Sequence, residues 1–453
     1  MKMDTNRETQ STMRTSRRTF LKAGVFTAAA GTATFITTGR VARAAGIDNE
    51  GILTKAHVTG ASVKKLGYQE GWLGTSKIVA PVQRTREQDQ GFNKAIRGLL
   101  GSDAEHQVIN FIGKHPLGNA FENMSMFLGV PEAVDGKPSQ DKLPLPDIER
   151  LTQHIKDVCY YAGADEVGVG KLFPWMMYSE QAPVPTGTDW AQYKIELETK
   201  PGTPVQSEKY QYCIGILVDQ GLDTLLGTTG YDGISGTMSM MAYSRSGFVA
   251  DILAKYIRNL GYNARSNHNG NYAMPLLPAL ISCGLGEMSR TGDCVLHPRL
   301  GFRHKAAVVV TDLPLVPDGP IDFGLRDFCS TCQKCAQNCP AQAIGTDRDQ
   351  TAFKGQYMRW AADSDKCTQF RTTNREGSSC GRCMKVCPWN NKETSWIHDV
   401  GVFAASNFGF AGNILRDIDD MFGYGTEVVE KNRWWLEWPE YCQDWTKAPW
   451  LKG

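Results

Sequence analysis

The run Cys329-x2-Cys332-x2-Cys335-x3-Cys339-Pro340 constrains this chain more than any other feature of its 453 residues. Downstream it is answered by Cys380-x2-Cys383-x3-Cys387-Pro388, with Cys367 a short way before. Three thiolates spaced two residues apart wrap a loop around three corners of one [4Fe-4S] cluster, and a fourth held off by three more residues reaches a second cluster. By that geometry Cys329, Cys332, Cys335 and Cys387 hold the first cluster, and Cys339, Cys380 and Cys383 belong to the second. The downstream run lacks one member, and Cys367 is the nearest thiol that completes the set. A zinc ribbon would use two short CxxC pairs without the fourfold run closed by Cys-Pro. A c-type haem is excluded because neither Cys332-x2-Cys335 nor Cys380-x2-Cys383 is followed by His. The pattern is that of a chain through which electrons pass.

The N-terminus has a different character. Ser16-Arg17-Arg18-Thr19-Phe20-Leu21-Lys22 precedes a weakly apolar Ala/Gly/Thr stretch from Ala23 to Thr38 and then Ala42-Arg43-Ala44. This reads as a twin-arginine signal peptide over residues 1–44 with an A-x-A cleavage site. A retained membrane anchor is the alternative, but Gly24, Gly31 and several threonines interrupt the apolar run that a span of about twenty residues needs. The expected location is outside the cytoplasmic membrane of a prokaryote, on its outer face. Since that export route carries folded proteins with their cofactors, the usual link between secretion and disulfides is suspended. Eight of the thirteen cysteines go to clusters; Cys159, Cys213, Cys283, Cys294 and Cys442 are scattered singly, and most of them read as buried free thiols.

Cleavage after residue 44 would remove eight basic and two acidic residues, moving the formal charge from +1 to −5. A mildly acidic chain without a basic cluster argues against nucleic acid as a partner. About four hundred remaining residues exceed a single core, so several substructures are expected.

Residues 45–146 form an N-terminal region ending in a Pro- and Gly-containing connector, Gly129 to Pro146. Asp147 then caps a helix in which Ile148, Leu151, Ile155, Val158 and Ala162 recur at helical spacing up to Gly163. Strands are expected at Gln211–Val218 and Ala306–Thr311, and between them a helix whose face carries Val249, Ile252, Leu253, Tyr256, Ile257 and Leu260, stopped at Gly261. Interleaved strands and helices over 147–322 give an α+β domain. The cysteine module follows over 323–400, then a segment over 401–453 with Trp434, Trp435, Trp438, Trp445 and Trp450, read as a tail strapped across a core.

In combination, leader, central domain, truncated double-cluster module and Trp-rich tail resemble the respiratory reductive dehalogenases. The likeness is carried by Gly284-Leu-Gly-Glu-Met-Ser-Arg-Thr-Gly292, Thr311-Asp-Leu-Pro-Leu315, Phe323-Gly-Leu-Arg-Asp-Phe-Cys329, Ala341-Gln-Ala-Ile344 and Phe422-Gly-Tyr-Gly425. The resemblance implies a nitroreductase-like corrinoid-binding domain joined to a bacterial-ferredoxin-like module, with one cluster close to a base-off, cobalamin-type cofactor. The mutase motif Asp-x-His-x-x-Gly is absent: His57-x2-Gly60 is the nearest approach, with Lys55 where the aspartate would stand. The resemblance also implies organohalide reduction by two electrons and one proton, a membrane-linked electron donor and a small integral-membrane anchor protein. Corrin contacts are expected from Gly286, Ser289 and Gly292.

The same resemblance implies a tyrosine acid, a basic residue about sixty positions later, and an asparagine near the halide. Tyr243, just before the long helix, and Arg303 match that order; Arg299 and Lys305 flank Arg303 and remain alternatives. Asn269 fits the asparagine by spacing, while Asn267 and Asn271 in the same loop read as a solvated turn. Phe173, Trp175 and Tyr178 are aromatic candidates for a substrate pocket. Two other functions compete. A corrinoid tRNA-modifying enzyme of the epoxyqueuosine reductase type predicts a cytosolic, basic chain; a plain electron-transfer protein leaves the central domain without a task.

Overall fold

A computed structural model describes residues 63–184, 190–390, 425–436 and 445–451. The leader motif at 16–22, His57 and Gly60, Trp438, Cys442 and Phe422 to Tyr424 lie outside the described residues.

Helix α1 (Pro116–Leu128) precedes the connector, and α2 (Ile148–Ala162) begins where Asp147 accepts a hydrogen bond from Arg150 N at 2.9 Å. Gly163 ends α2 in the left-handed conformation, which a residue without Cβ adopts freely. Strand β1 (Glu166–Lys171) follows, then β2 (Tyr212–Asp219), α3 (Gly233–Asn259), β3 (Ala264–Asn267), α4 (Leu276–Ser282) and β4 (His304–Thr311). The four strands form one antiparallel sheet in the order β1-β2-β4-β3.

Side chains alternate across this sheet, as the two-residue period of a strand requires. Val167, Val169, Ile214, Ile216, Ala307 and Val309 face α2 and α3 and share a core with Leu151, Ile155, Leu253 and Ile257. Cys213, Leu217, Ala306, Val308 and Val310 point the other way, towards Leu280 and Ile281 of α4. On this second face α4 comes close to the backbone. A Cβ on Gly168 would lie 2.2 Å from Cys283 O, and one on Gly170 would lie 2.6 Å from Ser282 C. Gly168→Ala is therefore expected to destabilise the protein by about 1–3 kcal/mol, as overpacking does, read as a lower denaturant midpoint.

The same proximity brings Cys213 and Cys283 together, with Sγ atoms 3.6 Å apart. These two thiols are not the scattered singletons that their sequence positions suggest. Cys159 is buried in the core on the opposite face.

Helix α3 is longer than its apolar pattern indicates. Tyr243 lies in its middle rather than ahead of it. The first turns are rich in Ser and Gly, which are poor signals for a helix, yet they are buried and packed against α1, so tertiary contact overrides local propensity. The connector runs along the end of α3, where Ser139 N donates to Arg258 O at 2.8 Å and Leu143 N to Leu260 O at 3.1 Å.

The cysteine segment holds α5 (Leu325–Cys332), two single-turn helices at Lys334–Gln337 and Arg382–Lys385, and α6 (Ser364–Thr373). In the tail, Trp435 packs with Leu225, Ile234 and Met238, and Trp450 Nε1 donates to Gly113 O at 2.7 Å. Trp434, by contrast, is 63% exposed. Among the described residues no helix is long and apolar enough to cross a membrane.

Candidate active site

On the α4 side of the sheet lies a cavity of about 820 Å³. Its walls include Trp175, Tyr178 and Tyr272, Gly292 to Val295, the start of β4 at His304 to Ala306, and Tyr243 from α3. Phe173 stands behind the wall, stacked on Trp175 with ring centroids 6.2 Å apart. Tyr272 is half-buried, and desolvation of its phenol, reinforced by Tyr243 and Tyr178, pushes it well above the ordinary range.

Three cations were candidates to assist Tyr243. Lys305 Nζ lies 5.2 Å from the Tyr243 ring centroid, and both residues line the cavity. Arg303 is turned elsewhere: its side chain is 0% exposed, its Nε donates to Asp219 Oδ1 at 3.1 Å, and its Nη1 donates to Asn390 O at 3.3 Å. Arg299 Nε donates to Glu166 Oε1 at 2.6 Å. Asp219 is directly opposite His304 in the β2/β4 register, so its carboxylate waits at the strand end and captures Arg303. Of the three cations, Lys305 is thus the one whose charge lies over the Tyr243 ring in the cavity, while Asp219 holds Arg303.

The asparagine loop is also more ordered than a solvated turn. Asn267 and Asn271 are buried, and their Oδ1 atoms accept from Arg265 at 2.5 and 2.6 Å. Asn269 Nδ2 donates to Ser125 Oγ at 3.3 Å and is absent from the cavity wall, which Tyr272 occupies instead.

Of the three expected corrin contacts, Gly292 lines the cavity with φ +72°, whereas Gly286 and Ser289 shape the hairpin (Glu287–Met288 with Val295–Leu296) that carries it. A Cβ on Gly286 would lie 2.3 Å from Leu296 O, and Ser289 Oγ donates to Cys294 O at 2.9 Å. The same motif fastens the hairpin to the cysteine segment. Arg290 Nε donates to Cys329 O at 2.9 Å, and its Nη1 to Gly345 O and Asp347 O at 2.9 and 2.8 Å. Glu287 Oε1 accepts from Phe323 N and Leu325 N at 2.8 and 3.2 Å. Its burial raises the carboxyl to about 7.

The cysteines stand in two groups. Burial is the main influence pushing up the thiols of Cys329 and Cys387, and next come the charges of Cys332 and Cys335, with Cys329 also acting on Cys387. Burial likewise raises Cys367, Cys380 and Cys383; Cys339 adds to the first two, and Cys367 and Cys380 act on Cys383. Among the described residues no three His, Cys, Asp or Glu side chains converge tightly enough for a single ion. The Cys-x2-Cys-x2-Cys-x3-Cys-Pro spacing is what fits these donors to four-iron clusters. The second group adjoins the cavity through Met384, which directly follows Cys383 and lines the wall.

His304 was not singled out by any sequence motif. It is 7% exposed, borders the cavity, and neither ring nitrogen has a hydrogen-bond partner of good geometry. Burial first, then the charges of Lys305 and Arg303, hold it neutral, with a pKa of about 3. An unpaired buried polar group is costly, and a bound group that supplies its partner removes that cost.

Residues 328–390 match the family described as a 4Fe-4S double cluster binding domain. The chain is 30% identical over 318 residues to the tetrachloroethene reductive dehalogenase of Sulfurospirillum multivorans, covering 66% of this chain and 61% of that one. It superposes on the catabolic reductive dehalogenase NpRdhA with a TM-score of 0.73 at 34% identity, over 83% of this chain and 51% of the other. The chain belongs to the reductive dehalogenase family. A further reductive dehalogenase structure, described as suggesting a mechanism for B12-dependent dehalogenation, matches with a TM-score of 0.71 at 34% identity, over 83% of this chain and 50% of that one. This family member thus spans about half to three-fifths of the length of these relatives. The α+β fold and the double-cluster domain are those of the family.

Proposed function

We propose that this reductive dehalogenase replaces a halogen of an organohalide by hydrogen, consuming two electrons and one proton and releasing halide. The observation that carries the reading is Tyr243, backed by Lys305, in a cavity that adjoins the second cysteine group. A corrinoid, when bound, supplies the cobalt chemistry that delivers electrons to the carbon–halogen bond. Residues suited to hold it are Gly292, Tyr272, Trp175 and His304, whose neutral imidazole matches the amide groups at a corrin rim.

Tyr243 gives its phenol proton to the carbon as the halide departs. Lys305 holds a positive charge beside the phenolate that remains, which favours transfer. The two cysteine groups provide a stepwise path for electrons, with the second group nearest the cavity. Around the reacting groups, Trp175, Tyr178 and Tyr272 form apolar walls that exclude water and strengthen the interaction between Lys305 and the phenolate. We also infer export by the twin-arginine route and peripheral attachment to a small membrane anchor protein that passes electrons from a membrane-linked donor. That reading rests on Arg17 and Arg18 within the leader motif.

The test is metal analysis of the reconstituted protein together with a halide-release panel over aryl, alkenyl and alkyl halides. The expected result is iron and sulfide for two clusters, one cobalt per chain, and reductant-dependent halide release. A protein holding iron and sulfide but neither binding cobalt nor releasing halide is a relay, and the proposal is then wrong.

A further inference from the structure

Helix α6 carries Cys367 and, four residues on, Arg371, so both side chains occupy one face of the helix. Arg371 Nε donates to Ser379 Oγ at 3.3 Å, and Ser379 directly precedes Cys380. The guanidinium lies over the ring of Phe92, 4.7 Å from its centroid, and Phe92 is stacked on Phe111 with centroids 5.6 Å apart. Phe92, Phe111 and Tyr243 belong to one apolar cluster. Burial disfavours the charge of Arg371, and Cys367, Tyr243, Cys380 and Asp293 more than offset it. A guanidinium does not lose its proton in proteins, so this is a fixed positive charge wedged between the second cysteine group and the cavity tyrosine.

The mechanism gives Arg371 no role. We propose that Arg371 is a positioning residue that raises the reduction potential of the second cluster. A cluster held by four thiolates is anionic and gains one negative charge when reduced; a nearby fixed cation stabilises the reduced form more than the oxidised one. No bond forms or breaks in this step, which moves one electron from a chemical reductant in the assay or from the first cluster in the working protein. At the first group Arg290 is the corresponding cation: it faces Cys329, Cys335 and Cys332 while its guanidinium donates to the backbone carbonyls of Cys329, Ser330, Gly345 and Asp347.

The inference rests on the two-cluster assignment, and it holds or fails whether or not cobalt binds. Its test is a dithionite titration of the fully loaded chain followed by electron paramagnetic resonance, comparing wild type with Arg371→Gln and Arg371→Lys. The second cluster is recognised by the signal lost in Cys367→Ala. Arg371→Gln is expected to make reduction of the second cluster about tenfold less favourable, roughly 59 mV for a one-electron couple, with the first cluster unchanged and Arg371→Lys close to wild type. An unchanged potential at full iron content, or an equal shift at both clusters, overturns the proposal. Should Arg371→Gln fail to retain iron, Ser379→Ala decides: freeing the guanidinium lowers the same potential by a smaller amount, and no shift there overturns the proposal equally.

Discussion

Replacing Tyr243 by phenylalanine is expected to cut halide release by roughly 10²–10⁴-fold, the usual worth of a positioned general acid, while iron and cobalt contents stay at wild-type levels. Phenylalanine keeps the ring that packs against Phe111 and Met240, so the fold does not pay for the missing hydroxyl. Near-normal turnover would remove Tyr243 as the proton donor. The three neighbouring cations separate by the kind of damage they do. Lys305→Met is expected to reduce turnover by about tenfold, the kinetic equivalent of losing a desolvated cation–aromatic contact of roughly 1–2 kcal/mol, and to leave stability nearly intact. Arg303→Met instead removes the cation held by Asp219, which is 23% exposed, and losing a hydrogen bond between charged groups costs about 1.5–3 kcal/mol. It should appear as a lower unfolding midpoint. A Lys305→Met enzyme with unchanged turnover beside a stable, inactive Arg303→Met enzyme would return the catalytic role to Arg303.

Cys367→Ala is expected to strip one corner from the second cluster, leaving a three-iron species with its own paramagnetic signature and about one iron fewer per chain. Electron delivery to the cavity should fall with it, because this group lies on the cavity side. Cys387→Ala provides the sharper comparison. Along the chain it sits beside Cys380 and Cys383, yet its electrostatic neighbours are Cys329, Cys332 and Cys335. Its loss should therefore damage the first cluster and spare the second. Selective loss of the second cluster's signal in Cys387→Ala would show the crossed assignment to be wrong.

Much of the scaffold around this site is legible from local chemistry. Asp147 and Gly163 bracket α2 because capping is decided within a few residues of each end. Strands β2 and β4 fall within about two residues of their expected ends, since β-branched and apolar runs mark them. The start of α3 is not legible: its Ser-, Gly- and Met-rich turns are helical because α1 and the sheet bury them. The meeting of Cys213 with Cys283 depends on how closely α4 approaches Gly168 and Gly170, a distance that no local pattern encodes.

The sequence by itself supplied eight cysteines at cluster spacing, while the tyrosine, the three candidate cations and the asparagine loop were implied by its resemblance to the family. Spacing along a covalent chain limits which thiols can reach a common core, so that information survives without a fold. Only the tertiary structure decided which cation meets Tyr243, since the answer turns on Asp219 lying opposite His304 and capturing Arg303. It also decided that His304 is buried at the cavity edge, and that Arg371 lies over Phe92, which clusters with Tyr243. These are contacts between segments tens to more than a hundred residues apart, set by sheet register and helix packing.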